Sequence, residues 1–201
     1  MSPLQKDPAK ADAIIRAAIH IFARDGLEKG KIADIAKEAG IGKGTVYEYF
    51  SSKEEIFHAM VDTIMNDMVD ASETLYAMDL SPRDKLRTFM RMNIEIIFEM
   101  DEAMLIITEM WAQGARAIQR GEHESTQLSA SYEKMKHFVI NILKAGVMAE
   151  DFRDMNFDGV ATLALAFIDG FVWQFMLNHD RAAYDRALVE GIDSFMKGLE
   201  R

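Results

Sequence analysis

The chain has 201 residues, 49% of them hydrophobic, no cysteine and a formal net charge of −10. Its length and apolar content allow one or two domains with a sizeable core, and the absence of thiols excludes disulfides, thiolate metal sites and thiol redox sensing. The N-terminal MSPLQKDPAKAD is polar, and no stretch approaches twenty uncharged apolar residues, so the expectation is a cytoplasmic protein that does not enter a membrane.

The acid is unevenly spread. Residues 1–54 carry nine Lys/Arg against eight Asp/Glu, while the remainder carries fourteen against twenty-five. A weakly basic head can concentrate its lysines on one surface, whereas the acidic body would be repelled by a polyanion. The expected division is therefore a head of residues 1–54 and a body of residues 55–201.

In chain order, residues 1–8, with Pro3 and Pro8, read as an arm whose Lys6, together with Lys10 just beyond it, either reaches a minor groove or keeps the terminus soluble. A first helix is predicted from Ala9 to Arg24, with Ile14, Ile15, Ala18, Ile19 and Phe22 inward, ended by Asp25-Gly26. Ile32, Ile35, Ala36 and Ala39 then form the stripe of a two-turn helix stopped by Gly40. A three-residue turn leads into a second short helix, Lys43 to Phe50. This is helix-turn-helix spacing.

Residues step about 100° around an α-helix, so Val46 and Phe50 share an inward face and Gly44, Thr45 and Glu48 lie opposite, flanked by Tyr47 and Tyr49. A glycine in the first turn costs roughly 1 kcal/mol of helix stability but lets the backbone approach base edges and phosphates. Lys43 and Gly44 are thus expected to face bases, and Thr45, Tyr47, Tyr49 and Lys53 to hold phosphates. Ser51 and Ser52, with Glu54 or Glu55 at capping-box spacing, start a long helix from Lys53 to Ala77.

From IIRAAIHIFARDG through DIAKEAG to KGTVYEYFSSKEEIF, residues 14–60 resemble the DNA-binding domain of the TetR family of transcriptional repressors. Family members usually carry threonine or serine, which caps the short helices and touches phosphate, at the positions of Gly30 or Lys31 and of Gly42. Here glycine and lysine stand there. Lys31 is kept as a DNA-binding candidate. The resemblance implies an all-α chain: an N-terminal three-helix DNA-binding domain followed by a helical domain for effector binding and dimerisation.

Beyond Pro82 there is no strand-like alternation, and helices are predicted at 82–100, 102–118, 124–149, 156–179 and 182–199. The last two carry apolar runs, Val160, Leu163, Phe167, Phe171 and Phe175, then Leu188, Ile192, Phe195 and Leu199. Of these, Val160, Leu163, Phe167, Phe175, Leu188, Ile192 and Phe195 are read as a homodimer interface, or else as intrachain core. IDGFVWQF, residues 168–175, resembles the penultimate helix of many TetR-family bodies, which pairs with its two-fold mate in a four-helix interface.

Fifteen methionines suit a pocket for apolar shapes, although a methionine at helical spacing is ordinarily core. The expected effector-lining residues are Met68, Phe89, Met92, Glu95, Met110, Trp111, Tyr132, Met135 and Phe171. Glu95, Glu109 and Asp169 interrupt apolar stretches; each would either meet a ligand or reach the surface or pair with Arg87, Arg91 or Arg116. His123 with Glu122 and Glu124 forms the one local histidine–acid cluster, without metal-ligand spacing. No nucleophile elbow or phosphate loop is present, so no catalysis, cofactor or metal is expected. The expected partners are double-stranded operator DNA, a small largely apolar effector and a second copy of the chain. The alternatives are an architectural or cell-cycle DNA-binding factor without an effector, and a helical lipid-binding or catalytic protein whose short helices only pack.

Overall fold

The computed structural model describes residues 7–99, 103–121, 127–178 and 180–201; the expectations for Lys6 and for the His123 cluster fall outside them. Asp7 caps the first helix, α1 (Pro8–Lys29), accepting the N–H of Ala9 at 3.0 Å, with Pro8 in the first turn. Its buried face is Ile14, Ile15, Ala17, Ala18, Ile21 and Phe22. Ile21 thus takes the inward place expected of Ile19, which is half-buried. The predicted stop at Asp25-Gly26 is a kink: Gly26 has φ 76° and ψ 161°, after which one more turn runs to Lys29.

Helix α2 (Ile32–Glu38) buries Ile35 and Ala36, and α3 (Lys43–Tyr49) buries Val46. Between them Gly40 takes φ 68°, and the N–H of Ile41 returns to the carbonyl of Ala36 at 3.0 Å. Helix α4 (Lys53–Ala77) begins at a cap in which Ser52 Oγ accepts the N–H of Glu55 at 3.1 Å. The Glu55 carboxylate in turn accepts both the N–H and the hydroxyl of Ser51, each at 2.6 Å. Of the two glutamates open from the sequence, the cap uses Glu55.

The remaining helices are α5 (Pro82–Glu99), α6 (Ala103–Gln119), α7 (Gln127–Met148), α8 (Phe157–Asn178) and α9 (Arg181–Leu199). Among the described residues there is no strand, only an isolated bridge between Phe152 and Glu200. The chain is all-α.

The helices gather into two compact units, one of residues 1–65 and 100–128, the other of residues 66–99 and 129–201. The expected boundary after Glu54 therefore falls inside the first unit. The reason is packing: Phe57 of α4 meets Phe22 of α1, ring centroids 6.2 Å apart, and α6, though distant in sequence, packs on α1. In the second unit α5 packs against α8 and α9.

Residues Phe157–Leu177 of α8 are long and apolar enough to cross a membrane by length and composition, with a mean hydropathy of 1.7, although Asp158 and Asp169 interrupt the uncharged run. One face of α8 is core, with Ala161, Ala164, Leu165, Ile168 and Val172 buried. On the rest, Leu163, Trp173 and Leu177 stand 62%, 40% and 80% exposed. Val160, Phe167, Phe175 and Phe195 are half-buried, whereas Leu188 and Ile192 lie inside the chain's own core at 3% exposure each.

Gly30, at one of the positions where the family favours a hydroxyl residue, lies against the Phe22 ring. A Cβ there would come 2.8 Å from Cδ1 of Phe22 and 3.0 Å from the carbonyl oxygen of Gly26. The protein's own packing thus demands the glycine. Gly30→Ala is expected to lower the stability of the folded chain by about 1–3 kcal/mol, read from urea unfolding.

Candidate nucleic-acid interface

A seven-residue helix is too short to hold its own shape in water, so α3 depends on what it buries. Val46 is 0% and Phe50 8% exposed. The 100° step then leaves the other flank facing solvent: Lys43, Gly44, Tyr47 and Glu48 are exposed, and Thr45 is half-buried. A Cβ added at Gly44 would meet nothing within 4 Å. Unlike Gly30, this glycine answers to no neighbour inside the protein. The Lys43 ammonium sits 5.7 Å from the Tyr47 ring centroid, which holds the charge over the exposed flank.

Two residues read as phosphate ligands are partly engaged elsewhere. The backbone N–H of Asp7 donates to the Tyr49 hydroxyl at 3.0 Å, tying the start of α1 to the end of α3. The Lys53 ammonium donates to the backbone carbonyl of Glu28 at 2.8 Å and so links the kinked end of α1 to the start of α4. An ammonium has three donors, so this bond leaves Lys53 able to meet a phosphate as well. Lys31 is exposed at the N-cap of α2; neither it nor Gly42, the N-cap of α3, supplies a side-chain cap bond.

Two family patterns match the chain. That described as "Bacterial regulatory proteins, tetR family" covers residues 14–60, and "BetI-type transcriptional repressor, C-terminal" covers residues 82–196. The chain belongs to the TetR family of transcriptional regulators. Two curated relatives from Bacillus subtilis (strain 168) share part of this regulator's length. The Fatty acid metabolism regulator protein is 28% identical over 106 residues, 53% of this chain and 54% of that protein. The regulator YvdT is 39% identical over 61 residues, 30% of this chain and 31% of that protein. The chain thus spans about half of the one and about a third of the other. Among solved structures, a transcriptional regulator from Saccharomonospora viridis in complex with choline superposes with a TM-score of 0.81 at 19% identity, over 97% of this chain and 100% of that one. FadR from Bacillus subtilis in complex with stearoyl-CoA gives 0.74 at 17% identity, over 94% and 99%. At such identities the likeness is one of fold.

The residues of this TetR-family regulator read as effector-lining divide between its units. Met110 and Trp111 belong to the first, the other seven to the second. Met68 and Phe89 are core at 5% and 0% exposure, and Met92 is half-buried. Met135, with Phe138 and Tyr76, lines a cleft of about 420 Å³ between α4 and α7. Phe171 stacks on Phe167 at 5.6 Å and meets the edge of Tyr184 at 5.3 Å.

The three isolated carboxylates have separate fates. Glu95 pairs with Arg91 at 3.1 Å and Glu109 with Arg116 at 2.6 Å, as the surface alternative had it. Asp169 instead accepts the Tyr132 hydroxyl at 2.8 Å, from α7 to α8. Burial raises its carboxyl above the ordinary value while the Tyr132 hydrogen bond pulls it down; burial, then the neighbouring carboxylate, push the phenol well above its usual range.

Sequence reasoning missed Asn93 and Ser131. Each is 1% exposed, and Asn93 Oδ1 and Ser131 Oγ have no hydrogen-bond partner among the described residues. The signal was present, since both interrupt otherwise apolar helix faces, but small polar residues there commonly bond back to their own helix. Asn93 does so with Nδ2 alone, donating to the carbonyl of Phe89 at 2.8 Å.

Because the Tyr132 bond favours the ionised carboxylate, Tyr132→Phe raises the folded-state value of Asp169 further. The loss is therefore greatest where Asp169 is ionised and fades as pH falls through its raised range. Denaturation of Tyr132→Phe should show a deficit of about 1.5–3 kcal/mol at neutral pH, shrinking toward acid.

Proposed function

We propose that the chain is a homodimeric, cytoplasmic repressor that places α3 of each copy in successive major grooves and leaves its operator when the second unit takes up a small, largely apolar effector. The observation that carries this reading is the outward flank of α3, with Lys43, Gly44 and Tyr47 exposed while Val46 is fully buried. Lys43 and Gly44 address base edges; Thr45, Tyr47, Lys53 and Lys31 meet phosphates, and Tyr49 mainly fixes the orientation of the helix.

Dimerisation is supported by Leu163, Trp173 and Leu177, whose exposure in a single chain is unusual for so apolar a helix. Val160, Phe167, Phe175 and Phe195 flank that face, while Leu188 and Ile192 act behind it as core. A second copy also supplies the second half-site contact that a helix-turn-helix requires.

The effector reading is supported by the unpaired Asn93 Oδ1 and Ser131 Oγ, which a ligand hydroxyl, amide or ammonium can satisfy, and by the α4–α7 cleft. That cleft lies within the usual volume of small-molecule sites. The family resemblance and the choline and stearoyl-CoA complexes of fold neighbours are consistent with a ligand that combines a polar end with apolar surface. Helix α4 passes from one unit into the other, so a displacement of its second half acts on the helix that begins at Lys53. A coupling of about 1–3 kcal/mol would change DNA affinity roughly 5- to 150-fold.

Selection of bound fragments by the full chain, with and without a metabolite panel, supplies the operator and screens for the effector. On that operator Lys43→Ala should lose about 1–3 kcal/mol of binding and relax specificity at the base it reads. Gly44→Ala separates the roles: the folded chain should gain up to about 1 kcal/mol while operator affinity falls at least tenfold. Unchanged affinity in both variants would refute the assignment of α3. Leu163→Glu should sediment as a monomer and bind the full operator no better than a half-site.

A further inference from the structure

A second cleft, of about 920 Å³, lies wholly within the first unit, between the end of α1, the start of α4 and α6. Its apolar wall includes Phe57, Val61 and Met110, exposed by 1%, 7% and 7%. Its volume is near the upper end of small-molecule sites; of the residues expected from the sequence to line an effector pocket, Met110 alone lies in it, beside Glu109.

The charges around the cleft are unequally satisfied. Four lining carboxylates, Glu28, Glu54, Asp62 and Glu109, stand with three cations, Lys53, Arg116 and Arg120. Arg116 is taken by Glu109 at 2.6 Å, Lys53 by the carbonyl of Glu28 at 2.8 Å, and Arg120 is not free either. Asp62 is half-buried and has neither a hydrogen bond nor an ion pair among the described residues. Burial pushes its carboxyl up from the ordinary value, and the only opposing influence is His58 one turn earlier, whose Nε2 lies 3.3 Å from Gln113 Oε1. A partly buried carboxylate without a partner, set beside an apolar wall, fits a ligand that brings its own positive charge and an apolar body.

We infer that this cleft binds a small amphipathic cation, its ammonium or amidinium against Asp62 and its apolar part over Phe57, Val61 and Met110. Asp62 stands nine residues, about 13 Å of helix, from Lys53, so a ligand anchored at Asp62 with its apolar part running along α4 over Phe57 packs toward the Lys53–Glu28 bond that joins the kinked end of α1 to α4. The site is thereby coupled to the orientation of the DNA-binding helices, a consequence that rests on the function proposed above; the binding itself does not.

The test is calorimetric titration of the full chain, without DNA, with octyltrimethylammonium below its micellar concentration and with octanoate in a second arm. The cation is expected to bind at one saturable site and octanoate not to bind. Asp62→Asn, which keeps the shape of the side chain and removes its charge, should weaken the cation at least tenfold. Gly114→Leu fills the cleft from α6, where a Cβ meets only Leu128 at 3.7 Å, and should abolish binding with Asp62 intact. Glu133→Gln, in the α4–α7 cleft, should change nothing. No cation binding, equal binding by Asp62→Asn, loss in Glu133→Gln, or octanoate binding as tightly as the cation overturns the site. In a separate arm on the selected operator, the cation should weaken the wild type at least fivefold and spare Asp62→Asn; cation binding in calorimetry with unchanged DNA affinity overturns the coupling alone.

Discussion

Everything proposed for this regulator depends on a small hydrophobic contact, the burial of Val46 and Phe50 under α3. Neither α2 nor α3 exceeds two turns, and a helix of that length does not persist in water without tertiary support. Ile35 and Ala36 secure α2, and Val46 and Phe50 secure α3, all at 8% exposure or less. Once those side chains point inward, helical geometry leaves Lys43, Gly44 and Tyr47 no direction but outward. The positive φ of Gly40 sets the turn between the helices, and Gly30 lets the chain pass against Phe22 before α2 begins.

Polar contacts then adjust what burial has built. Arg83 with Glu200 and Arg87 with Asp193 tie elements together in the second unit, but their side chains are 31–46% exposed. Such pairs contribute about 0–1 kcal/mol each, less than one well-packed apolar side chain. The buried polar groups matter more. Asp169 keeps its charge tolerable through Tyr132, whereas Asn93 Oδ1 and Ser131 Oγ have no hydrogen-bond partner among the described residues. A desolvated polar atom without a partner is costly, so these two positions are the ones at which the second unit's packing is least complete.

The division into units shows how a chain can mix its parts. Helix α6 follows α5 in sequence yet packs with α1 in the first unit, while α5 stays with α8 and α9 in the second. The DNA-binding unit thus includes a helix from the later half of the family pattern, and α4 runs continuously from one unit to the other.

What was legible in the sequence is what neighbouring residues decide among themselves. The glycine stop at 40, the serine cap at 52, and the 3.6-residue apolar period placed the helices within a few residues, because each signal acts over one or two turns, although the break at Gly26 is a kink with one more turn after it. The outward flank of α3 was equally legible, since a single helix with two large apolar residues on one side has only one way to lie. Partners across long separations were not. Nothing local joins Lys53 to Glu28, Tyr132 to Asp169 or Phe57 to Phe22, nor tells Leu188 and Ile192, which face the chain's own core, from Leu163, which faces solvent. Those choices arise only when helices meet and compete for the same surface. For that reason the sequence by itself determined the helices and the presented face, while only the tertiary structure decided which carboxylates are satisfied, which clefts open and where one unit ends.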